Sequence, residues 1–234
     1  MFELIASCST NQQLELLRGL GRKLDEPNRF SRDRSNRDVL LNGLKVRNKA
    51  GRLVSLVPNR TQREYSRHCT RRNIVLKARQ LGMTTYIAAE FFIRTITRPG
   101  TLSVQVAHDQ QSAEEIFRIV HRFLENLPER VRQGALRTSR ANVRQLVFPR
   151  LDSEYRVETA ADPNAGRGLT IQNLHCSEVA RWTGQPAETL ASLRAAVPPE
   201  GAIVLENKFR EGLGKIIDGV VQCLNASAWA KAKA

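Results

Sequence analysis

Apolar positions along the chain change period near residue 73, and the change organises everything else. Before it, Leu14, Leu16, Leu17 and Leu20 form a stripe at helical spacing that predicts a helix over 10–24, with Gly21 as its stop. Residues 22–38, "RKLDEPNRFSRDRSNRD", are dense in charge and poor in apolar side chains, which predicts a linker or solvated surface. "LLNGLKVRNKAGRLVSLVPN" alternates about Asn48, Lys49 and Gly51 and predicts a hairpin; a short helix follows from Thr61 to about Cys69. From residue 73 the order becomes strand, turn, helix, strand, helix. "NIVLKA" and "TLSVQVA" are short apolar runs, "MTTYIAAEFFIRTI" carries Ile87, Phe91 and Ile96 at helical spacing, and Ser112 with Glu115 reads as a capping box. "VRQLVFP" pairs with "EYRVETA", and "LTIQNLHCSE", "PAETLASLRAAV" and "GAIVLE" supply a strand, a helix and a last strand. The alternation predicts an α/β fold with a mainly parallel sheet between helices, preceded by a helical and hairpin extension.

Composition narrows the partners. The 234 residues carry 37 Lys+Arg against 23 Asp+Glu, a formal charge of +14, which favours polyanions, nucleic acid first and anionic membrane second. No apolar run is long enough to span a bilayer, and the N-terminus lacks the layout of a secretory signal. Cys8, Cys69, Cys176 and Cys223 have no paired spacing and read as reduced thiols in a cytoplasmic protein. The neighbours His68–Cys69 and His175–Cys176 lack the partner spacing of structural zinc sites.

Ligands of open parallel sheets bind beyond the carboxyl ends of the strands, so three strand ends matter: "KARQLGMTT", "HCSEVARW" and "VLENKF". A phosphate-binding turn directs backbone N–H groups and a helix N-terminus at the anion, with a cation beside it and a hydroxyl for magnesium. The common G-x-x-x-x-G-K-[ST] arrangement would align Gly82 with its second glycine, placing Met83 where lysine is usual and Thr84 at the hydroxyl. Lys77 or Arg79 can supply the missing cation, since the site needs positive charge near the phosphates rather than a fixed chain position. The second strand end offers Ser177 and Glu178. Glu178 would polarise the attacking water, and Ser177 would offer only a hydroxyl to a magnesium-bound water; a glutamate capping the next helix is the plainer alternative.

Order and spacing point further. "LVPNRTQREYSRHCTRRNIVLKARQLGMTT", then "VQVAHDQQSAEEIF", then "GRGLTIQNLHCSEVARW" resembles the ATPase domain of the large terminase subunits of tailed phages and prophages, over roughly residues 40–206. The resemblance implies a three-layer P-loop NTPase sheet, with ATP and Mg²⁺ as cofactors. It implies nucleotide binding by Gln62 as adenine reader and by Lys77, Ala78, Arg79, Gln80, Leu81, Gly82, Met83, Thr84 and Thr85. Thr84 and, through water, Ser177 would hold magnesium; Glu178 and Arg79 would be catalytic. Arg167, before the acidic strand, or Arg79 would act as arginine finger, and Glu206 would belong to the coupling motif.

The same resemblance implies double-stranded DNA, a small terminase subunit and a portal as partners, a homo-oligomeric ring, no membrane, and the cytoplasm of a bacterial host. Two departures stand out. Glu206 is followed by Asn207, Lys208, Phe209 and Arg210 rather than a Ser/Thr-rich coupling motif, and only 28 residues follow it, too few for the family's nuclease domain. The expected organisation is therefore an N-terminal helix and charged linker over 1–39, an ATPase domain over 40–206, and a divergent, poorly ordered tail over 207–234. The expected function is a DNA-packaging ATPase lacking its nuclease; alternatives are a non-hydrolysing prophage remnant that binds DNA and a helicase-like or repair ATPase.

Overall fold

A computed structural model describes residues 1–25, 32–78, 80–142, 144–162 and 164–208. Arg79, Cys223, Trp229 and nearly all of the predicted tail lie outside these residues. Helices α1 (Phe2–Ala6), α2 (Thr10–Asp25) and α3 (Arg32–Gly43) precede a hairpin of β1 (Lys45–Arg47) and β2 (Leu53–Ser55). Helix α4 (Arg60–His68) then leads to β3 (Arg72–Lys77), α5 (Met83–Thr97), β4 (Leu102–Ala107), α6 (Gln110–Glu125) and α7 (Glu129–Gln133). Strands β5 (Arg140–Asn142), β6 (Gln145–Phe148), β7 (Ser153–Thr159) and β8 (Asn173–Ser177), helix α8 (Pro186–Ala195) and β9 (Ala202–Lys208) follow among the described residues.

The seven strands β3 and β4–β9 form one sheet in the order β3-β9-β8-β4-β7-β6-β5. Neighbours from β3 to β7 are parallel, while β6 and β5 add an antiparallel edge. Alternate side chains serve opposite faces. Ala107, Tyr155, Val157, Ala202 and Val204 pack with α2, α5 and α6, whereas Val104, Val106, Leu174, Cys176, Ile203 and Leu205 pack with Trp182 and α8. The result is the three-layer α/β architecture that the alternating pattern predicts. Among the described residues, no helix is long and apolar enough to cross a membrane.

Three expectations are corrected. The predicted linker is helical in its second half: α3 runs over Arg32–Gly43 and delivers Leu40, Leu41 and Leu44 to the core. Its apolar residues are confined to the C-terminal turn, so local density understated it. Arg37 also ties the helix to buried Glu90 of α5, N–O 3.4 Å. Gly21 does not stop α2, which continues to Asp25; a Cβ there would come within 2.3 Å of the Thr97 carbonyl, so glycine permits α2 to approach the end of α5. The cap of α6 is Asp109, whose carboxylate accepts the Ser112 N–H at 2.7 Å, rather than Ser112.

Candidate active site

Lys77 closes β3, and α5 begins at Met83 after a short turn, as the strand and helix patterns predict. Gly82, the residue before α5, has φ +67° and ψ 20°, a left-handed conformation that favours glycine. It has a second reason to lack a side chain: a Cβ would lie 2.9 Å from Gln62 Nε2. Met83 is fully buried, so the position that usually bears the phosphate-binding lysine faces the core and cannot hold a cation cheaply. The first turn of α5 has no side-chain cap, which leaves its N–H groups to meet an anion.

The start of α4 clamps the other side of this turn. Asn59 and Gln62 form a capping box: the Gln62 N–H donates to Asn59 Oδ1 at 3.0 Å, and the Asn59 N–H donates to Gln62 Oε1 at 2.9 Å. Their remaining amide hydrogens reach the turn. Asn59 Nδ2 donates to the Leu81 carbonyl at 3.0 Å, and Gln62 Nε2 to the Gly82 carbonyl at 2.9 Å. Gln62 is thus buried as a brace of the turn before α5, a contact that the motif alone did not reveal.

Strand β9 lies between β3 and β8, so its last residues face both motif-bearing strand ends. Glu206, fully buried, is the hub. The Thr84 hydroxyl donates to its carboxylate, 2.9 and 3.0 Å from the two oxygens, and Lys77 Nζ lies 2.5 Å from Oε1. His175 Nε2 is 2.8 Å from Oε2. Burial pushes the Glu206 carboxyl up, but the hydrogen bond from His175, and then the charge and hydrogen bond of Lys77, outweigh it and hold the group well below the usual carboxylate range. Behind His175 the polar line continues across the sheet: Gln105 Nε2 contacts His175 Nδ1, and the Tyr155 hydroxyl donates to Gln105 Oε1 at 2.6 Å. All four side chains lie on the face covered by α5, as alternation along β9, β8, β4 and β7 requires. His175 is thus held between Gln105 and Glu206; among the described residues no group of three His, Cys, Asp or Glu side chains is placed to hold a metal.

Glu178 follows β8 in a left-handed conformation, φ 52°. Its backbone N–H donates to the Glu206 carbonyl at 2.7 Å, and its Oε1 lies 3.9 Å from Lys77 Nζ. Gln80, on the turn before α5, is also left-handed at φ 60°. Non-glycine residues held so cost energy and cluster where geometry is needed for function. Ser177 is buried opposite Glu206 in register, and its carbonyl accepts the Trp182 indole N–H at 3.1 Å, which places Trp182 in the core. Asn207 Oδ1 accepts the Ala180 N–H at 2.8 Å, pinning the turn after Glu178.

The structure thus gathers Lys77, Thr84, Glu178 and Glu206 at one edge of the sheet, with Gln62 bracing the turn. Ala78 and Gln80 are exposed on that turn, and Leu81 and Thr85 are half-buried beside it. Arg167 is on the exposed turn after β7, at the same carboxyl edge, where Nη1 donates to Asn164 Oδ1 at 3.1 Å. The available donors are oxygens, a hydroxyl and two carboxylates, beside an ammonium and an uncapped helix start. That set suits a phosphate with magnesium, a hard cation that prefers oxygen.

No protein-family model and no curated sequence matches the chain. Solved structures do. The large terminase of bacteriophage HK97 superposes with a TM-score of 0.60 at 14% identity, over 73% of this chain and 36% of that one. The ATPase domain of the large terminase of Thermus phage P74-26, as an arginine-to-alanine mutant, gives 0.50 at 20% identity, over 64% of each chain. The chain shares its fold with these two terminase structures. The chain spans about a third of the length of the HK97 protein and just under two thirds of the P74-26 domain.

Proposed function

We propose that the chain is the ATP-hydrolysing domain of a DNA-packaging terminase. The observation that carries this reading is the convergence of Lys77, Thr84, Glu178 and Glu206, drawn from three parallel strand ends and the start of α5, on one uncapped helix N-terminus. Each has a task in phosphoryl transfer to water. Lys77 neutralises phosphate charge, replacing the lysine that position 83 cannot carry. The N–H groups opening α5 bind phosphate oxygens. Thr84 presents its hydroxyl oxygen to magnesium, and Glu178 orients the attacking water and takes its proton. Magnesium, when bound, offsets the charge that builds on the phosphate oxygens. Arg167, from its exposed turn, serves as arginine finger toward this or a neighbouring subunit in a ring, and Arg79 is a further candidate cation.

The fold similarity to large terminases supports duplex DNA as the translocated partner, and the +14 charge supports its binding. A portal and a small terminase subunit would complete the assembly. A second reading, a DNA-binding chain that does not turn over ATP, is favoured by one observation: Lys77 already has a carboxylate partner in Glu206. The two separate in one experiment. Purified chain is given ATP, magnesium and duplex DNA, and phosphate release and nucleotide binding are followed beside Lys77→Ala. The ATPase reading expects both to fall to background in the variant. Equal behaviour of the two proteins excludes it.

A further inference from the structure

The pair of carboxylates that usually ends the acidic strand is incomplete here: Ser177 stands in the first place and carries no charge. A carboxylate nonetheless sits on the hydroxyl of Thr84, and it comes from the adjacent strand, where Glu206 is in register with Ser177. We propose that Glu206 is the carboxylate of the magnesium site, acting through Thr84, and that the Tyr155–Gln105–His175 line holds it in place. The proposal rests on the ATPase reading and adds to it the source of the missing charge.

The hydrogen-bond directions support it. A threonine hydroxyl has one proton, and Thr84 spends it on Glu206, at 2.9 and 3.0 Å from the two oxygens. Lys77 Nζ donates a long bond to Thr84 Oγ1 at 3.5 Å, which leaves the other lone pair of that oxygen for a cation, and the negative partner makes the oxygen a better ligand, as second-shell carboxylates do. The orientation of Glu206 is itself imposed. The Tyr155 hydroxyl donates to Gln105 Oε1, which turns the Gln105 amide nitrogen toward His175 Nδ1. His175 must then carry its proton on Nε2 and donate it to Glu206 Oε2. Every donor in the line runs toward Glu206, an arrangement that only an acceptor on both oxygens satisfies. A glutamine at 206 would set an NH₂ against at least one of these donors. Glu206 is a positioning residue in this account, since it acts through Thr84.

The competing role is that of a simple counter-ion for Lys77, and the two roles differ in what depends on metal. Binding of a non-hydrolysable ATP analogue is measured by calorimetry in EDTA and in saturating Mn²⁺, and the gain in affinity due to metal is compared among variants. Circular dichroism confirms folding. Glu206→Gln is expected to cut the gain on the order of 10–100-fold. Thr84→Val should cut it similarly, and the double variant no further. Tyr155→Phe, which removes one hydroxyl far from the ligand and keeps the core filled, should lower the gain several-fold and leave affinity in EDTA unchanged. The proposal is overturned if Glu206→Gln keeps the wild-type gain while affinity in EDTA changes, or if the Glu206 and Thr84 losses add. An unaltered gain in Tyr155→Phe overturns the positioning line. If wild type fails to bind the analogue with or without Mn²⁺, the ATPase reading fails and takes this inference with it.

Discussion

Gly82→Ala is the sharpest test of how the turn between β3 and α5 is built. The left-handed backbone at φ +67° costs an alanine about 1–2 kcal/mol relative to glycine. The added Cβ would also lie 2.9 Å from Gln62 Nε2, so the amide must move and give up its bond to the Gly82 carbonyl. That loss is worth about 1 kcal/mol. The sum is a destabilisation of about 2–3 kcal/mol, or roughly 4–12 °C in melting temperature for a chain of this size. Urea unfolding of Gly82→Ala, Gln62→Ala and the double variant separates the two contributions. With Gln62 cut away the Cβ has room, so the glycine substitution should then cost only about 1–2 kcal/mol. An equal cost in both backgrounds would refute the proposed clash. A cost below about 0.5 kcal/mol, within the range of ordinary surface substitutions, would refute the conformational claim as well.

Met83→Lys, which recreates the usual lysine position, is expected to destabilise by about 3–5 kcal/mol rather than improve nucleotide binding, because it buries an ammonium without a partner; thermal unfolding and nucleotide titration report both. Asp109→Ala should cost about 1 kcal/mol through loss of the α6 cap. The Ser112 N–H, joined by the Ser112 side chain, holds the Asp109 carboxyl below its ordinary value, so the cap's contribution is complete above that ordinary value and is lost as pH falls below it and through the lowered one. Unfolding curves of wild type and variant should therefore converge in acid; a difference that widens in acid would contradict the sign.

Much of the sheet was legible because each strand and crossover helix carries its own period. The short runs ending at Lys77 and Ser177, and the stripe through Ile87, Phe91 and Ile96, need no distant information. Helix α3 was hidden because its apolar residues, Val39, Leu40 and Leu41, come only near its end, while the preceding charges read as linker. The cap of α6 was placed three residues late because Asp109 and Ser112 are both good capping types, and only the hydrogen bond distinguishes them. At the site, Lys77, Thr84 and Glu178 follow from strand ends. The bond between Thr84 and Glu206 spans 122 positions and depends on β9 inserting between β3 and β8, which no local pattern encodes. His175 stands beside Cys176 without a partner at zinc-site spacing, and alternation along β8 sends the two to opposite faces. Strand parity could have separated them, but pairing His175 with Gln105 and Glu206 requires the strand order.

The central claim is that this constellation hydrolyses ATP with Glu178 acting on the water, and the direct measurement is phosphate release by wild type and Glu178→Gln with magnesium and duplex DNA. The substitution keeps the shape of the side chain and removes its basicity. The account predicts DNA-stimulated turnover in wild type, lower by about 10²–10⁴-fold in the variant, with nucleotide binding retained in both. Equal background rates in the two proteins would contradict it.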